Sequence, residues 1–422
     1  MRRIPTACVG VVLLICFARS LSAIVAYAPT DSVPVDRLIA NTAKFVKAHP
    51  DDPSGHYMLG RLHSLAFAER SRTLEVWQYE RGYDPAVILP EIAFFEWVPR
   101  PVRTAPDQHL SEKPRQHLLE SIRNYRRATE LKPRWALAFL GLGWMLQQGA
   151  PFASDVDAPF VEPPRRVTAQ EWLAQALATY RYLVANYAQL VVENPQPESP
   201  QAILMEASQG ILRLLPGPNL TAEEKTETDR ARKAIETFQQ KAANNRDARP
   251  HVVSPIIFPL RGPASLEALL VPGRVVPFDL AGDGVPEKWP WVNSDAGFLA
   301  WDPENRQRIE SGRQLFGSVT WWMFWRDGYQ ALAALDDDGN GWLEGNELAG
   351  IVIWRDTNGN GVCDPGEIIS LRDAGVVRIS VRSTGRVRGM PFNPRGIEFS
   401  DGTFRPTYDW TPESIVAGAS RK

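Results

Sequence analysis

Two acidic, glycine-containing segments of twelve residues constrain this chain more than any other feature. The first runs from Asp336 to Glu347 and the second from Asp356 to Glu367, so their starting points are 20 residues apart. In both segments side-chain oxygens occur at positions 1, 3, 5, 9 and 12, and glycine occurs at position 6. The stretch from 336 to 367 has eight acidic residues and one basic residue, so its fold must offset strong like-charge repulsion.

This spacing is that of the EF-hand calcium loop, in which oxygen ligands surround a hard cation and the glycine permits a sharp turn. We predict Ca²⁺ in both segments, here called loop 1 and loop 2. Tighter binding is expected in loop 1, which has carboxylates at positions 1, 3 and 12. The predicted ligands are Asp336, Asp338, Asn340, Trp342, Glu344 and Glu347 in loop 1, and Asp356, Asn358, Asn360, Val362, Asp364 and Glu367 in loop 2. The alternative is a decayed pair that keeps its turns without metal.

The spacing between the loops excludes a calmodulin-type sensor. Only Leu348 to Arg355 lie between them, which is too short for two helices, and Ile351 to Trp354 looks like a strand. Cys363 takes position 8 of loop 2, where an aliphatic residue is usual. We interpret Cys363 as a small buried hydrophobic residue that faces the partner loop, with a redox or metal-ligand role as the alternative.

Several further motifs surround the loops. They are Phe278–Gly284, Trp291, Asp295–Leu299, Gly312–Gly317, Gly328–Leu332, Trp354–Asp356 and Pro365–Glu367. With the loops, they make residues 278–381 resemble the EF-hand module of exported bacterial proteins, which also occurs beside hemolysin-type calcium repeats. The resemblance implies a compact calcium-binding module with short strands and no catalytic activity.

Two positions depart from the pattern of that module. Ala281 replaces the middle Asp of the opening motif, which leaves metal binding at Asp279 and Asp283 open. A further acidic segment begins at Asp302, but Arg306 and Gln307 stand where Asn or Asp and Gly are expected. We therefore expect no metal in that segment.

The N-terminal half has the pattern of a helical protein from about Val35 to Asn245. The predicted helices cover 35–49, 55–68, 118–131, 135–148, 171–192, 201–215 and 222–243. Small residues at Ser121 and Ala128, with Tyr125 between them, resemble a helix of a tetratricopeptide repeat. We predict a repeat-like array of helical hairpins that offers a groove to a protein or peptide partner. An irregular helical bundle is the alternative.

The first 23 residues have the pattern of a secretory signal peptide. Positive charge at Met1 to Arg3 is followed by an apolar run from Cys8 to Phe17 and a small-residue end at Ala23. An uncleaved N-terminal anchor is the alternative. We expect an exported protein, periplasmic or extracellular, with no transmembrane segment after signal removal. Cleavage would leave Cys363 alone of the three cysteines, which excludes an internal disulfide.

The predicted fold class is α+β multidomain, with an all-α helical-hairpin array followed by a compact EF-hand module with short strands. The predicted domains are a signal peptide (1–23), a helical repeat-like domain (34–248), a Pro-rich linker with edge strands (249–277), and an EF-hand calcium-binding module with C-terminal strands (278–422).

Other function classes find little support in the sequence. The net charge of −2, from 47 basic and 49 acidic residues, provides no basic field for nucleic acid. His56, His63, His109 and His117 lack a metal-site spacing, and no convergent acid, base or nucleophile is visible, so we expect no enzyme.

The leading hypothesis is an exported calcium-binding protein in which calcium is mainly structural and the helical domain is an interaction scaffold. Nine of the 14 tryptophans lie beyond residue 288. We interpret them as core residues, but an exposed row could stack on sugar rings. The alternative function is therefore a carbohydrate-binding or envelope-hydrolase accessory protein that uses a Trp-rich surface.

Overall fold

The computed structural model describes residues 27–69, 73–79, 111–192, 200–244, 253–282 and 286–415. The predicted signal peptide, His109 and Asp283 lie outside these residues. Among the described helices, none is both long enough and apolar enough to cross a membrane.

The described part of the N-terminal half is helical, as predicted. Its helices are α1 (Val35–Ala48), α2 (Pro53–Glu69), α3 (Glu112–Leu131), α4 (Ala136–Gly149), α5 (Ala169–Val192), α6 (Pro200–Leu214) and α7 (Ala222–Asn244). Strands β1 (Tyr27–Pro34) and β2 (Thr73–Tyr79) form a separate antiparallel pair. Each predicted helix is present, and the largest difference in bounds is the start of α3, which begins at Glu112 rather than at residue 118.

Tyrosine rings pack against glycines where neighbouring helices meet. The buried ring of Tyr125 on α3 lies between Gly60 of α2 and Gly141 of α4, where an added Cβ would come within 3.0 Å and 2.5 Å of it. The same arrangement occurs around Tyr180 of α5, with Gly143 and Gly210. Glycine lets the helix backbones approach closely enough to hold each ring. The repeat-like interpretation stays a prediction.

The C-terminal half is a curled antiparallel β half-barrel. Its strands are β3 (Ile256–Pro259), β4 (Leu270–Phe278), β5 (Glu287–Val292), β6 (Ala296–Trp301), β7 (Trp342–Glu344), β8 (Ile351–Trp354), β9 (Ile368–Ser370), β10 (Val376–Ser380), β11 (Gly385–Val387), β12 (Met390–Phe399) and β13 (Phe404–Asp409). The main sheet has the order β7-β10-β12-β13-β3-β6-β8-β9, with β11 beside β12, and β4 pairs with β5. Two short helices, α8 (Leu266–Leu269) and α9 (Gly328–Ala333), accompany the sheet.

The prediction of a compact EF-hand module is wrong, and with it the predicted fold class of the C-terminal half. Loop 1 follows the six-residue α9, and its second half contains strand β7, which pairs with β10. Loop 2 connects β8 to β9. The strand predicted at Ile351–Trp354 is confirmed, with all four residues buried, as its β-branched residues favour. The prediction missed that this strand lies between β6 and β9 in a curled antiparallel sheet.

The two loops lie at opposite ends of the strand order. Loop 1 contains β7 at one edge of the sheet, and loop 2 precedes β9 at the other edge. Leu343, at position 8 of loop 1, is opposite Ile379 of β10 rather than opposite Cys363. The loops therefore do not pair with each other as EF-hand loops do.

The two halves share one continuous hydrophobic core. A single cluster of buried side chains extends from Val35 and Leu38 of α1 to Leu335, just before loop 1, and to Leu343 within it. Strand β3, from the segment interpreted as a linker with edge strands, lies inside the sheet between β13 and β6 with all four residues buried. This packing places α1 against the end of α9, where loop 1 begins.

Candidate metal centre

The turn of loop 1 is built around the carboxylate of Asp336. Its Oδ1 accepts a hydrogen bond from the backbone N–H of Gly339 at 2.8 Å, and its Oδ2 accepts one from Gly341 at 2.9 Å. Gly341 has φ of +91°, a left-handed conformation that glycine adopts without strain. Asp336 thereby fixes the beginning and the middle of the loop together.

Glu347 closes the other end of loop 1. Its Oε1 accepts from the N–H of Asp337 at 2.5 Å, and its Oε2 accepts from the N–H of Glu344 at 3.1 Å. Within the described residues, one group of at least three acidic, histidine or cysteine side chains has ligand atoms within 4.8 Å of one another. It consists of Asp336, Asp338 and Glu347.

The electrostatics of this acidic triad favour a bound cation. Burial raises the pKa of the Asp336 carboxyl, and the charges of Glu347 and Asp338 raise it further, while the N–H donors of Gly341 and Gly339 oppose the rise. Asp336 and Glu347 are buried, and Asp338 is exposed. Because hard oxygen ligands are what Ca²⁺ prefers, the donor set fits that ion.

The other side-chain ligands predicted in loop 1 border the triad. The amide of Asn340 donates to Oδ2 of Asp338 at 2.9 Å and to Oε1 of Glu344 at 3.4 Å. Its Oδ1 accepts from the N–H of Trp342 at 2.7 Å. The Trp342 ring lies beneath the guanidinium of Arg378, whose Cζ is 4.3 Å from the ring centroid.

Loop 2 repeats the backbone geometry of loop 1. Asp356 is fully buried, and it accepts from the N–H of Gly359 and of Gly361, both at 2.7 Å. Glu367 accepts from the N–H of Thr357 at 2.7 Å and from that of Asp364 at 3.0 Å. The two loops therefore have the same pattern of closure by their first and last residues.

The polar side chains of loop 2 form hydrogen bonds with one another. The amides of Asn358 and Asn360 both donate to Oδ2 of Asp364, at 2.7 Å and 2.9 Å, and these hydrogen bonds lower the pKa of the Asp364 carboxyl. No carboxylate triad like that of loop 1 occurs in loop 2, all of which the structure describes. The Asp364 carboxylate is therefore hydrogen-bonded by two side-chain amides within loop 2.

Two indole groups also donate to loop 2. The Nε1–H of Trp291 lies 2.6 Å from Oδ2 of Asp356, and that of Trp354 lies 3.4 Å from Oε2 of Glu367. Cys363 is half-buried, and its Sγ is 3.9 Å from the carbonyl oxygen of Gln307. Burial raises the pKa of the Cys363 thiol to about 11, which disfavours the thiolate needed for redox chemistry or metal binding.

In the segment that begins at Asp302, backbone N–H groups donate hydrogen bonds to the Asp302 side chain. The Asp302 carboxylate accepts from the N–H of Arg306 at 2.7 Å and from that of Gln307 at 2.9 Å. Asp279, directly after β4, is buried, and its backbone forms an isolated bridge with Ser311. Neither residue belongs to an acidic triad in the described part of the chain.

Two of the histidines form a buried pair. Nδ1 of His63 on α2 lies 2.8 Å from Nδ1 of His117 on α3. Burial, with the neighbouring His117, lowers the pKa of His63 to about 3. No third potential ligand joins the pair among the described residues, and His56 instead contacts Asn124 at 3.0 Å.

The tryptophans of the C-terminal half are mostly core residues. Those at 289, 291, 301, 321, 325, 354 and 410 are at most 4% exposed. Trp342 is the one with an intermediate exposure among the side chains described. A continuous row of exposed indoles is therefore absent from the described residues.

Sequence reasoning missed the side chains of α1 that reach loop 1. Arg37 and Asn41 both donate to Oδ1 of Asp337 at 2.8 Å, and Lys44 bonds to the backbone carbonyl of the same residue. Positions 37, 41 and 44 share one helical face, which is the signal that the sequence offers. That pattern indicates a polar face on the helix, but it does not predict contact with Asp337, which lies 293 to 300 residues further along the chain.

Comparison with protein families gives one finding for this region. A family model described as the SPM domain matches residues 266–393, from α8 into β12, and this range contains both loops. The match and the curled sheet together overturn the resemblance to the EF-hand module, since the family found is a different one. Comparison with curated proteins gives no match.

Proposed function

We propose that the protein binds Ca²⁺ in loop 1, that loop 2 is a weaker second site, and that the bound ion stabilises the β half-barrel. The observation that carries the proposal is the acidic triad of Asp336, Asp338 and Glu347, whose oxygens lie within 4.8 Å of one another. Without a cation, three carboxylates at this separation repel one another. With one, they supply part of the six to eight oxygens that calcium requires.

A structural role for calcium follows from where the loop lies. Loop 1 follows α9 and contains the edge strand β7, so an ion held by its first and last residues would link the end of the helix to the sheet. Binding to the folded state alone raises stability by mass action. Weak sites, with dissociation constants of about 10⁻⁴–10⁻³ M, fill at extracellular calcium concentrations.

The remaining parts of the proposal rest on the sequence. The signal-like residues 1–23 support export to the periplasm or the exterior, and the helical half supports an interaction scaffold for a protein or peptide. Because the tryptophan side chains that the structure describes in the C-terminal half are buried apart from Trp342, glycan binding by a Trp-rich surface is not favoured. We propose that the protein is not an enzyme.

Calorimetric titration of the full chain with Ca²⁺ tests this function. Wild type should show a stronger and a weaker binding event, Glu347→Gln should lose the stronger one, and Glu367→Gln the weaker one. Glu223→Gln, on the exposed first turn of α7, is the matched control and should keep both. Absence of binding heat in wild type, with no rise in melting temperature on calcium addition, would refute the proposal.

A further inference from the structure

Helix α1 contacts loop 1 at Asp337, a position that is not among the predicted metal ligands. The carboxylate of Asp337, at position 2 of the loop, accepts from Nε of Arg37 and from Nδ2 of Asn41, both at 2.8 Å. The ammonium of Lys44 bonds to the backbone carbonyl of Asp337 and also lies 3.3 Å from Oδ1 of Asn41. Position 2 of the loop is thus fixed by three side chains from one helix face.

The same helix also binds the backbone at both ends of loop 1. Asn41 donates to the carbonyl oxygen of Ala334 at 3.1 Å, and Arg37 donates to that of Leu335 at 2.6 Å. A longer contact of 3.5 Å joins Arg37 to the carbonyl oxygen of Glu347. These carbonyls stand at the end of α9 and at the last loop position, so α1 connects the two ends of the loop.

Loop 2 provides an internal comparison. Its position 2 is Thr357, an exposed residue whose hydroxyl donates to the carbonyl oxygen of Arg355 at 3.2 Å. Among the described residues, no hydrogen bond joins the helical half to loop 2. Both loops are closed by hydrogen bonds from backbone N–H groups to their first and last residues. They differ because side chains of α1 bind loop 1, whereas no described residue of the helical half binds loop 2.

We infer that docking of α1 and cation binding are thermodynamically coupled at loop 1, so that the helical half regulates the affinity of the site. The inference rests on the proposed calcium binding. Repulsion among the three carboxylates of the acidic triad favours an open loop, and the bonds from α1 favour the closed one. Because the ion binds the closed form, its apparent affinity scales with the fraction of the loop that is closed. By reciprocity, the bound ion strengthens the docking of α1.

The direction of the change in calcium affinity is easiest to interpret at Asn41, which carries no charge. Removing Arg37 or Lys44 would also remove positive charge near a cation, which by itself favours binding. Asn41 is buried and neutral, so Asn41→Leu removes two donated hydrogen bonds without changing the charge at the site. Arg37→Lys keeps the charge and loses the two-pronged guanidinium contact, and it serves as the second variant.

Calorimetric titration of the full-length chain with Ca²⁺ tests the coupling. Asn41→Leu should weaken binding at loop 1 about tenfold, which lies within the usual range of coupling between sites, and should leave loop 2 unchanged. Arg37→Lys should weaken loop 1 in the same direction. Asn186→Leu on α5 is the matched control, because this Asn donates to the carbonyl oxygen of Tyr182 on its own helix at 2.9 Å, and both loops should keep their affinities.

The outcomes separate the two proposals. Wild-type binding with an unchanged loop 1 affinity in Asn41→Leu and in Arg37→Lys would overturn the coupling and leave calcium binding intact. Equal weakening of both loops would also overturn it, because that result indicates general destabilisation. Absence of wild-type binding would refute the proposed function, and the coupling would fall with it. If Asn41→Leu does not fold, the calcium affinity of loop 1 in Arg37→Lys tests the coupling instead.

Discussion

The indole Nε1–H of Trp291 lies 2.6 Å from Oδ2 of Asp356, so a core tryptophan of β5 donates to the first residue of loop 2. Both side chains are completely buried. A buried carboxylate is stable only when hydrogen bonds replace its hydration, and here the indole adds to two glycine N–H donors. Loop 2 is in this way attached to the core of the half-barrel.

Trp291→Phe should therefore destabilise the protein. It leaves a buried carboxylate oxygen with one donor fewer, which costs about 1.5–3 kcal/mol for a hydrogen bond to a charged group. The matched control is Trp289→Phe, since Trp289 is equally buried but donates to the neutral carbonyl of Phe278 at 2.9 Å, a bond of about 0.5–1.5 kcal/mol. Urea denaturation measures both. An equal loss in the two variants would show that the charge of Asp356 is unimportant.

Asn358→Asp should tighten calcium binding at loop 2 severalfold. The substitution adds a carboxylate at position 3, as in loop 1, and removes the amide that donates to Asp364 at 2.7 Å. The calcium-free protein should then melt at a lower temperature, because two carboxylates would face each other. Calorimetry together with thermal melting at low and high calcium checks both effects. Unchanged affinity would contradict the role assigned to the side-chain amides.

Gly141→Ala should destabilise the helical half by about 1–3 kcal/mol. In an uncrowded helix this change would stabilise by about 0.5–1 kcal/mol. Here the new methyl would lie 2.5 Å from Cζ of Tyr125, whose ring is completely buried. The double variant Gly141→Ala/Tyr125→Leu makes room and should be less than additive in urea denaturation. Full additivity would contradict a direct clash.

The buried histidine pair predicts an acid-sensitive helical half. The folded pKa of His63 is about 3, below its usual value of 6.5, so the unfolded chain takes up the proton first. Stability should therefore fall as pH decreases from about 6.5 towards 3, by up to about 1.4 kcal/mol per unit. Denaturation of wild type and of His63→Gln across this range measures the slope, which should be shallower in the variant. Exposed His49→Gln is the control and should keep the wild-type slope.

Asp409→Asn should raise stability at alkaline pH. Burial, with the charge of Asp327, raises the pKa of the Asp409 carboxyl well above its usual range. Stability is then lost as pH rises from the unfolded pKa towards the folded one. Asn keeps an acceptor for the N–H of Gly328, at 3.1 Å, and carries no charge. The variant should melt higher than wild type at pH 8 and about equally at pH 4, whereas exposed Asp373→Asn should match wild type at both.

The helices and the closure of the loops could be predicted because they depend on nearby residues. Amphipathic periodicity predicted the seven helices that the structure describes in the N-terminal half, and the spacing of oxygen-bearing residues predicted the loop positions at which Asp336 and Glu347 accept hydrogen bonds. These patterns repeat over three to twelve residues, which is within the reach of local hydrogen bonding.

The half-barrel and the docking of α1 could not be predicted in this way. Ile256 of β3 is opposite Asp409 of β13, and Arg37 bonds to Asp337, so both contacts join residues more than 150 positions apart. Strands of three or four residues carry little periodicity, and their pairing is decided by packing. The EF-hand interpretation went wrong for this reason: the spacing within a loop does not determine how the short strands around it pair over long sequence distances.

The placement of the two loops has a consequence for how copies of this protein meet. Edge strands β7 and β9 are each three residues long; β7 lies within acidic loop 1, and β9 directly follows acidic loop 2. Open sheet edges otherwise recruit further strands, which leads to aggregation, and short edges flanked by charge resist this. Two molecules that approached edge to edge would gain few backbone hydrogen bonds and bring their acidic loops together. The charges that favour a cation also protect the sheet from association with itself.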